Sequence, residues 1–189
     1  SENGCSKIVR LLLDLPQSRG VDPTADNNCA IQWASENGHV GVVELLLKLP
    51  LSRGVDPSAN DNYAIRIASR NGHAEVVKLL LDLPSSRGVD PSANDNHAIQ
   101  LASQSGHVEV ARLLLALPLD RGVNPAAHGN FAVRLASLEG HAEIVKLLLD
   151  LPPNRGINPS ADDDFSINSA LEHDHSEVVK LLLDYLRFR

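Results

Sequence analysis

Five histidines are the first residues in this sequence that could do chemistry, because imidazole is a common metal ligand and a common acid–base group. They recur at intervals of 34 residues, as His39, His73, His107, His141 and His175. Helices in equivalent positions of neighbouring repeats pack roughly 8–10 Å apart, whereas each ligand of a Zn²⁺ ion lies about 2 Å from it. A column of single histidines cannot converge on one ion. We interpret these residues as structural, at helix starts and in hydrogen bonds between repeats.

A second series places an arginine–glycine pair at the same interval. Its arginines are Arg19, Arg53, Arg87, Arg121 and Arg155, and each is followed three residues later by Asp or Asn. Exposed guanidinium groups in a row would form a basic strip that binds anions. The alternative, which we favour, is a bond from each arginine to a local carboxylate or carbonyl that pins its loop.

Other chemical signals are weak. The acidic run Asp162-Asp163-Asp164 lacks the alternating spacing and the glycine of a calcium loop. We interpret it as a solvated loop or as an electrostatic patch for a basic partner. The sequence has no Gly-x-Ser-x-Gly, phosphate-binding glycine loop or His-Glu-x-x-His, and Cys29 forms no recognisable dyad with a histidine. We therefore expect a protein that is not an enzyme and that uses neither a cofactor nor a metal.

The composition limits the class of partner and indicates the cellular compartment. A net charge of -7 over 189 residues argues against a nucleic-acid partner, which needs clustered Lys and Arg. Two cysteines in different repeat registers are not a disulfide framework, and they indicate a cytoplasmic or other intracellular setting. No apolar run approaches the ~20 residues that span a bilayer. The first four residues match Ser35–Gly38, so we expect the array to begin within a repeat. The last repeat lacks the Leu-Pro stop of the others and has polar residues on its first helix, so we expect it to lie near a natural C-terminus.

The interval itself indicates a solenoid, in which each unit buries its apolar residues only by stacking on its neighbours. In one repeat, we predict a first helix from about Tyr63 to Arg70, with Asn62 as its cap. A second helix begins near His73 and is ended by Pro84. Its apolar residues follow helical spacing and predict a buried stripe: Val76, Val77, Leu80, Leu81 and Leu83.

These residues resemble a known family. Residues 72–81, Gly-His-Ala-Glu-Val-Val-Lys-Leu-Leu-Leu, are similar to the second helix of an ankyrin repeat, and residues 88–93 resemble the segment that follows it. The first helix departs from the family's Thr-Pro-Leu-His start, and the loop after the second helix is longer. Pro91 also removes a donor where ankyrin hairpins pair.

The resemblance implies an all-α fold, an α-solenoid of stacked ankyrin-like helix pairs, with long, mostly irregular loops and little β-hairpin. We predict a single array over residues 1–189. Its parts are a half repeat at about 1–27 and repeats at about 28–61, 62–95, 96–129, 130–163 and 164–189.

The resemblance also implies that partners bind the concave side, formed by the first helices and the loop tips. Three columns of the first helix differ most between repeats, either because they read a partner or because solvent positions drift. Aromatic and arginine members rank first, since such residues are frequent binding hot spots. The predicted partner-binding residues are Tyr63, Arg66, Arg70, His97, Gln100, Gln104, Phe131, Arg134, Leu138 and Phe165. Trp33, in a neighbouring column, is expected to pack.

The expected function is a protein–protein interaction scaffold, monomeric, that binds a partner protein and neither nucleic acid nor a membrane. The alternative is a structural spacer or self-association segment of a larger multidomain protein.

Overall fold

The fold was obtained as a computed structural model that describes the backbone of residues 2–188 and the side chains of residues 6–16 and 18–187. The described residues form helices, turns and loops and contain no β-strand. The chain divides into two compact units, residues 1–90 and residues 91–189. Each unit is built from pairs of antiparallel helices that stack on one another.

The described residues of the first unit form five α-helices. They are α1 (Glu2–Leu13), α2 (Ala25–Glu36), α3 (Val40–Leu47), α4 (Ala59–Arg70) and α5 (Ala74–Leu81). The first helix of each pair packs on its counterpart, α2 on α4, and the second helices α1, α3 and α5 form a parallel row. Within a pair, α2 packs on α3 and α4 packs on α5.

The described residues of the second unit repeat this arrangement with six α-helices. They are α6 (Ala93–Gln104), α7 (Val108–Leu115), α8 (Ala127–Leu138), α9 (Ala142–Leu149), α10 (Ala161–Glu172) and α11 (Ser176–Phe188). The first helices α6, α8 and α10 pack in sequence, and the second helices α7, α9 and α11 do the same. The predicted fold class, an all-α array of ankyrin-like helix pairs, is therefore confirmed within each unit.

The core of each unit is a row of aliphatic side chains from both helices of every pair. In the first unit Ile31, Ile65 and Leu80 are fully buried, and in the second unit Ile99 and Leu148 are. Full burial of one such side chain contributes about 1.5–3 kcal/mol. No single pair is large enough to enclose its own residues, so stacking provides most of the burial.

Every first helix opens with a left-handed turn, which the sequence analysis did not predict. In α4 the residues Asn60, Asp61 and Asn62 have φ angles of 55°, 53° and 59°. Asn and Asp tolerate this conformation better than other residues with a Cβ, because their short polar side chains bond locally. The right-handed part of α4 then begins at Tyr63, where the sequence analysis placed the start of the helix. The corresponding turns are 26–28, 94–96, 128–130 and 162–164.

The prediction that Asn62 caps the first helix is wrong. Asn62 is buried, it makes no capping bond, and its Oδ1 accepts the backbone N–H of Asp90 in the next loop at 2.8 Å. The left-handed backbone turns the side chain away from the helix and toward that loop. The same bond joins Asn28 to Asp56, Asn96 to Asn124 and Asn130 to Asn158, with lengths of 2.8, 2.6 and 2.8 Å.

The second helices end earlier than predicted. α5 ends at Leu81, three residues before Pro84, and Leu83 is half-buried outside the helix. The conformation of a residue before proline is biased away from the α region, so the helix closes before the ring. Pro84 instead precedes a 3₁₀ turn, Ser85–Arg87. The loops thus contain one short helical turn each, and the expectation of little β-hairpin is confirmed for the described residues.

Candidate protein-binding face

The exposed side of the first helices, here called the first-helix face, holds the columns that vary between repeats. In the column that contains Arg66, side chains have a structural role, because they bond to the left-handed turn of their own helix. Arg66 donates from Nε to the carbonyl oxygen of Asp61 at 2.9 Å and from Nη2 to that of Asn60 at 3.1 Å. Its counterparts donate to the left-handed turn in the same way, namely Gln32 to Asn27, Gln100 to Asp95 and Asn168 to Asp163. Gln, Arg and Asn all fit because each carries an N–H donor.

In the first unit, the face brings Tyr63 and Arg66 together. The guanidinium carbon of Arg66 lies 5.8 Å from the centre of the Tyr63 ring, within the range of a cation–π contact. Both side chains are half-buried, and Arg70, one turn further on, is exposed.

In the second unit, the face holds a cluster of Phe131, Arg134 and Phe165, here called the aromatic–arginine cluster. The guanidinium carbon of Arg134 lies 5.5 Å from the Phe131 ring centre and 4.6 Å from that of Phe165. Arg134 Nη2 also donates to a carboxylate oxygen of Asp162. The pairing holds the arginine in one position while the Phe131 ring stays 36% exposed.

Of the other predicted residues of the second unit, Gln100 lies beside this cluster. Gln100 is buried and lines a groove of about 290 Å³ together with His128, Phe131 and Arg134. His97 and Leu138 are half-buried, and Gln104 is exposed.

Two residues beside this groove, Asp95 and His128, were not predicted. His128 Nε2 lies 3.2 Å from a carboxylate oxygen of Asp95 in the adjacent turn. Asp162, which binds Arg134, belongs to the acidic run interpreted from the sequence as a solvated loop or an electrostatic patch. His128 was detectable, because it interrupts the Asn and Asp residues of that register. The prediction that Trp33 packs is wrong, since the side chain is 65% exposed. Its counterpart Ile67 is buried next to α2, whereas among the described residues no first helix precedes α2.

The histidine column holds repeats together, as predicted. Nε2 of His73 donates to the carbonyl oxygen of Glu36 at 3.0 Å, across adjacent repeats. His141 and His175 do the same to Gln104 and Leu138, at 2.9 and 3.0 Å. Each acceptor is the carbonyl of a first-helix residue in the preceding repeat, so the imidazoles take up carbonyls that the helix end leaves free.

The arginine column also bonds to the backbone, but the favoured interpretation is only partly correct. The acceptors are carbonyl oxygens, as expected, but they are not local, because they lie 32 and 40 residues earlier in the chain. Arg87 donates to the carbonyl oxygens of Leu47 at 3.3 Å and Val55 at 3.2 Å. Arg155 makes the equivalent pair of bonds to Leu115 and Val123, and its burial lowers its pKa. The acceptors lie in the preceding repeat rather than at the acidic residue three positions on.

The acidic residues three positions after the arginines instead accept hydrogen bonds within their own loop. Asp22 accepts from the hydroxyl and the backbone N–H of Thr24, at 2.7 and 2.8 Å. These two bonds hold the pKa of the Asp22 carboxyl below its ordinary value, with a smaller contribution from the charge of Arg53. Asp56 makes the same pair of bonds with Ser58.

We expect Arg87→Ala to lower the free energy of unfolding by about 1.5–3 kcal/mol, the usual contribution of hydrogen bonds to a charged group. Arg87→Lys should recover only part of the loss, because an ammonium group lacks the planar fork that reaches both carbonyls. Urea unfolding of the full chain measures both effects. The matched control is Arg19→Ala, in the same register, because Arg19 is exposed and makes no such bond among the described residues. Equal losses for the two alanine variants would contradict this role.

The helix pairs, the bonds between successive pairs and the variable outer columns define a helical repeat protein of the ankyrin type. Residues 49–128 match the family model of ankyrin repeats, in 3 copies. Within residues 49–128 the chain is an array of ankyrin repeats. Ankyrin repeats are in general protein–protein interaction modules, and proteins built from them are typically scaffolds without catalytic activity. None of the curated proteins is a significant match to the chain.

Among the described residues, no helix is both long enough and apolar enough to cross a bilayer.

Proposed function

We propose that this protein is a non-catalytic scaffold that binds a partner protein on the first-helix face. The observation that carries the proposal is the aromatic–arginine cluster, in which aromatic rings and a guanidinium are held in place yet remain partly open to solvent. Aromatic and arginine side chains that are fixed before binding lose little conformational entropy when a partner docks. The Tyr63–Arg66 pair gives the first unit a smaller version of the same feature.

The proposal includes a monomer that works inside the cell and binds neither nucleic acid nor a membrane. Support for excluding nucleic acid comes from the first helices α6, α8 and α10, which contain five acidic residues and one basic residue. A phosphate backbone would meet repulsion there.

The decisive experiment is a pull-down with the full chain, using substitutions that the repeats themselves supply. Gln is native at the register of Arg66 and keeps the bond to the turn, as Gln32 and Gln100 show. We expect Tyr63→His with Arg66→Gln, and separately Phe131→His with Arg134→Gln, to weaken binding of the recovered partner at least about tenfold, as hot-spot losses do. The control is Glu75→Ala with Lys78→Ala, both exposed on α5.

Unchanged recovery with both first-helix variants would contradict the assignment of the face. If the first-helix residues instead contact a second copy of the chain, the competing function, a spacer or self-association segment, is favoured. Sedimentation of the purified chain over a concentration series separates these outcomes, because self-association alone makes the apparent mass rise with concentration.

A further inference from the structure

The groove beside the aromatic–arginine cluster points to the chemistry of the partner. We propose, resting on the function proposed above, that this groove of the second unit takes a basic side chain, arginine or lysine, from an extended segment of the partner protein. The groove has a volume of about 290 Å³ and is lined by Gln100, His128, Phe131 and Arg134. Its size suits one long side chain rather than a helix.

The groove contains a hydrogen-bond acceptor, the side-chain oxygen of Gln100. Gln100 is only 6% exposed and donates from Nε2 to the carbonyl oxygen of Asp95 at 2.8 Å. Among the described residues, its Oε1 accepts no hydrogen bond. In the first unit the equivalent oxygen, Oε1 of Gln32, accepts from the amide of Asn60 at 3.0 Å. In the second unit His128 takes the register of Asn60 and binds Asp95 instead, which leaves the Gln100 oxygen for an incoming donor.

Charge also favours a basic side chain. The guanidinium of Arg134 already has a carboxylate partner in Asp162, and the His128 imidazole lies against the Asp95 carboxylate. Both carboxylates are well exposed, with 76% and 57% of their side chains accessible. The first helices α6, α8 and α10 hold five acidic residues against one basic residue, whereas α2 and α4 of the first unit hold three against two. The excess negative charge favours a cation and opposes a carboxylate.

The Phe131 ring gives the groove an apolar side. Phe131 presents 36% of its surface beside the acceptor groups. The methylene stem of an arginine or lysine packs on such a ring, and its charged end reaches Gln100 Oε1 and the free oxygen of Asp95. A purely apolar anchor would shield the Gln100 oxygen from water without supplying a donor.

A titration of the isotopically labelled full chain, followed by NMR, tests this directly. The probes are three acetylated peptide amides, Ala-Leu-Xaa-Leu-Ala, in which Xaa is Arg, Gln or Glu. We expect the Arg peptide to shift the side-chain amide signals of Gln100 and the ring signals of Phe131, with a Kd below about 10 mM. The Glu peptide should leave both unchanged. Added salt should weaken the Arg complex, because the attraction is between exposed charges.

Asp95→Asn should weaken the Arg peptide at least about threefold, in the range that an exposed charge pair contributes. Asp61→Asn is the matched control, because Asp61 has the same position in the turn of α4 and is also exposed. Circular dichroism checks that both variants stay folded. Tighter binding of the Glu peptide, shifts that bypass Gln100, or an equal effect of the two variants would each overturn the inference.

Failure here is distinguishable from failure of the proposed function. If no peptide binds the groove but the Phe131→His, Arg134→Gln variant still loses its partner in the pull-down, the face is correct and the basic anchor is wrong. If the Arg peptide binds as expected and both pull-down variants keep their partner, the groove exists but the proposed partner face is wrong.

Discussion

Replacing Gly38 by alanine is expected to lower the free energy of unfolding by about 2–5 kcal/mol, from a left-handed backbone cost of about 1–2 kcal/mol and overpacking of about 1–3 kcal/mol. Gly38 has a φ of 67°, and a Cβ there would lie 2.5–2.9 Å from three ring atoms of His73. The ring cannot retreat without losing its bond to the Glu36 carbonyl oxygen. The absence of a side chain at Gly38 therefore makes room for the His73 ring of the next repeat.

Gly20→Ala is the matched control for this prediction. Gly20 has a φ of 76°, yet a Cβ there would have no atom within 4 Å, so it should show the backbone cost alone, about 1–2 kcal/mol. In a His73→Ala background the cost of Gly38→Ala should fall toward that same value. Equal costs at the two glycines in the natural background would contradict the contact with His73.

Urea unfolding of the full chain gives these free energies. Amide exchange in α2 to α5 should accompany it, because repeat arrays lose cooperativity and can open one part at a time.

The helix pairs were predictable because their apolar spacing repeats without interruption. The positions of Val76, Val77, Leu80 and Leu81 hold Val, Ile, Ala or Leu in every repeat. These four residues are buried, and no other secondary structure places all four on one side. The start of the right-handed first helix at Tyr63 also follows from the sequence, since the polar residues before it cannot join the apolar stripe.

The left-handed turn was not predicted because Asn and Asp favour two different local structures. Asn62 before an apolar helix is typical of a cap, and the same residue type is typical of a left-handed turn. One residue cannot distinguish them. Three such residues in a row, as in Asn60-Asp61-Asn62, are unusual for a cap, and Gly129 in the same position of another repeat favours the turn. Comparing residues 60–62 with their equivalents in the other repeats therefore indicates the left-handed turn.

Variation between repeats predicted the first-helix face only in part. The column of Arg66 and Gln100 varies in residue type, but each side chain donates to its own turn, so this variation is compatible with a structural role. The residue types in one column do not show which residues of the next repeat those side chains contact. Arg134 bonds to Asp162 in the next repeat, and such a pair is visible only when two different positions 28 residues apart are considered together.

Asn62→Ala is expected to lower the free energy of unfolding by about 2–5 kcal/mol, because two losses of different origin add. The backbone N–H of Asp90 loses its acceptor, which costs about 1–3 kcal/mol. Alanine must also adopt a φ near 59°, which costs about 1–2 kcal/mol more than in the right-handed region. The bond at 2.8 Å spans 28 residues and ties the left-handed turn to the following loop, so the loss affects two repeats.

Two further variants separate the contributions. Asn62→Gly keeps the left-handed turn and removes only the acceptor, while Asp61→Ala, at an exposed residue with a φ of 53°, imposes only the backbone cost. The cost of Asn62→Ala should therefore be close to the sum of the other two. Hydrogen exchange at Asp90 provides an independent readout: its amide should exchange faster in Asn62→Ala and Asn62→Gly and at the natural rate in Asp61→Ala. Unchanged protection of that amide in Asn62→Gly would mean that the bond does not stabilise the loop, and the column of buried asparagines would then owe its presence to the left-handed turn alone.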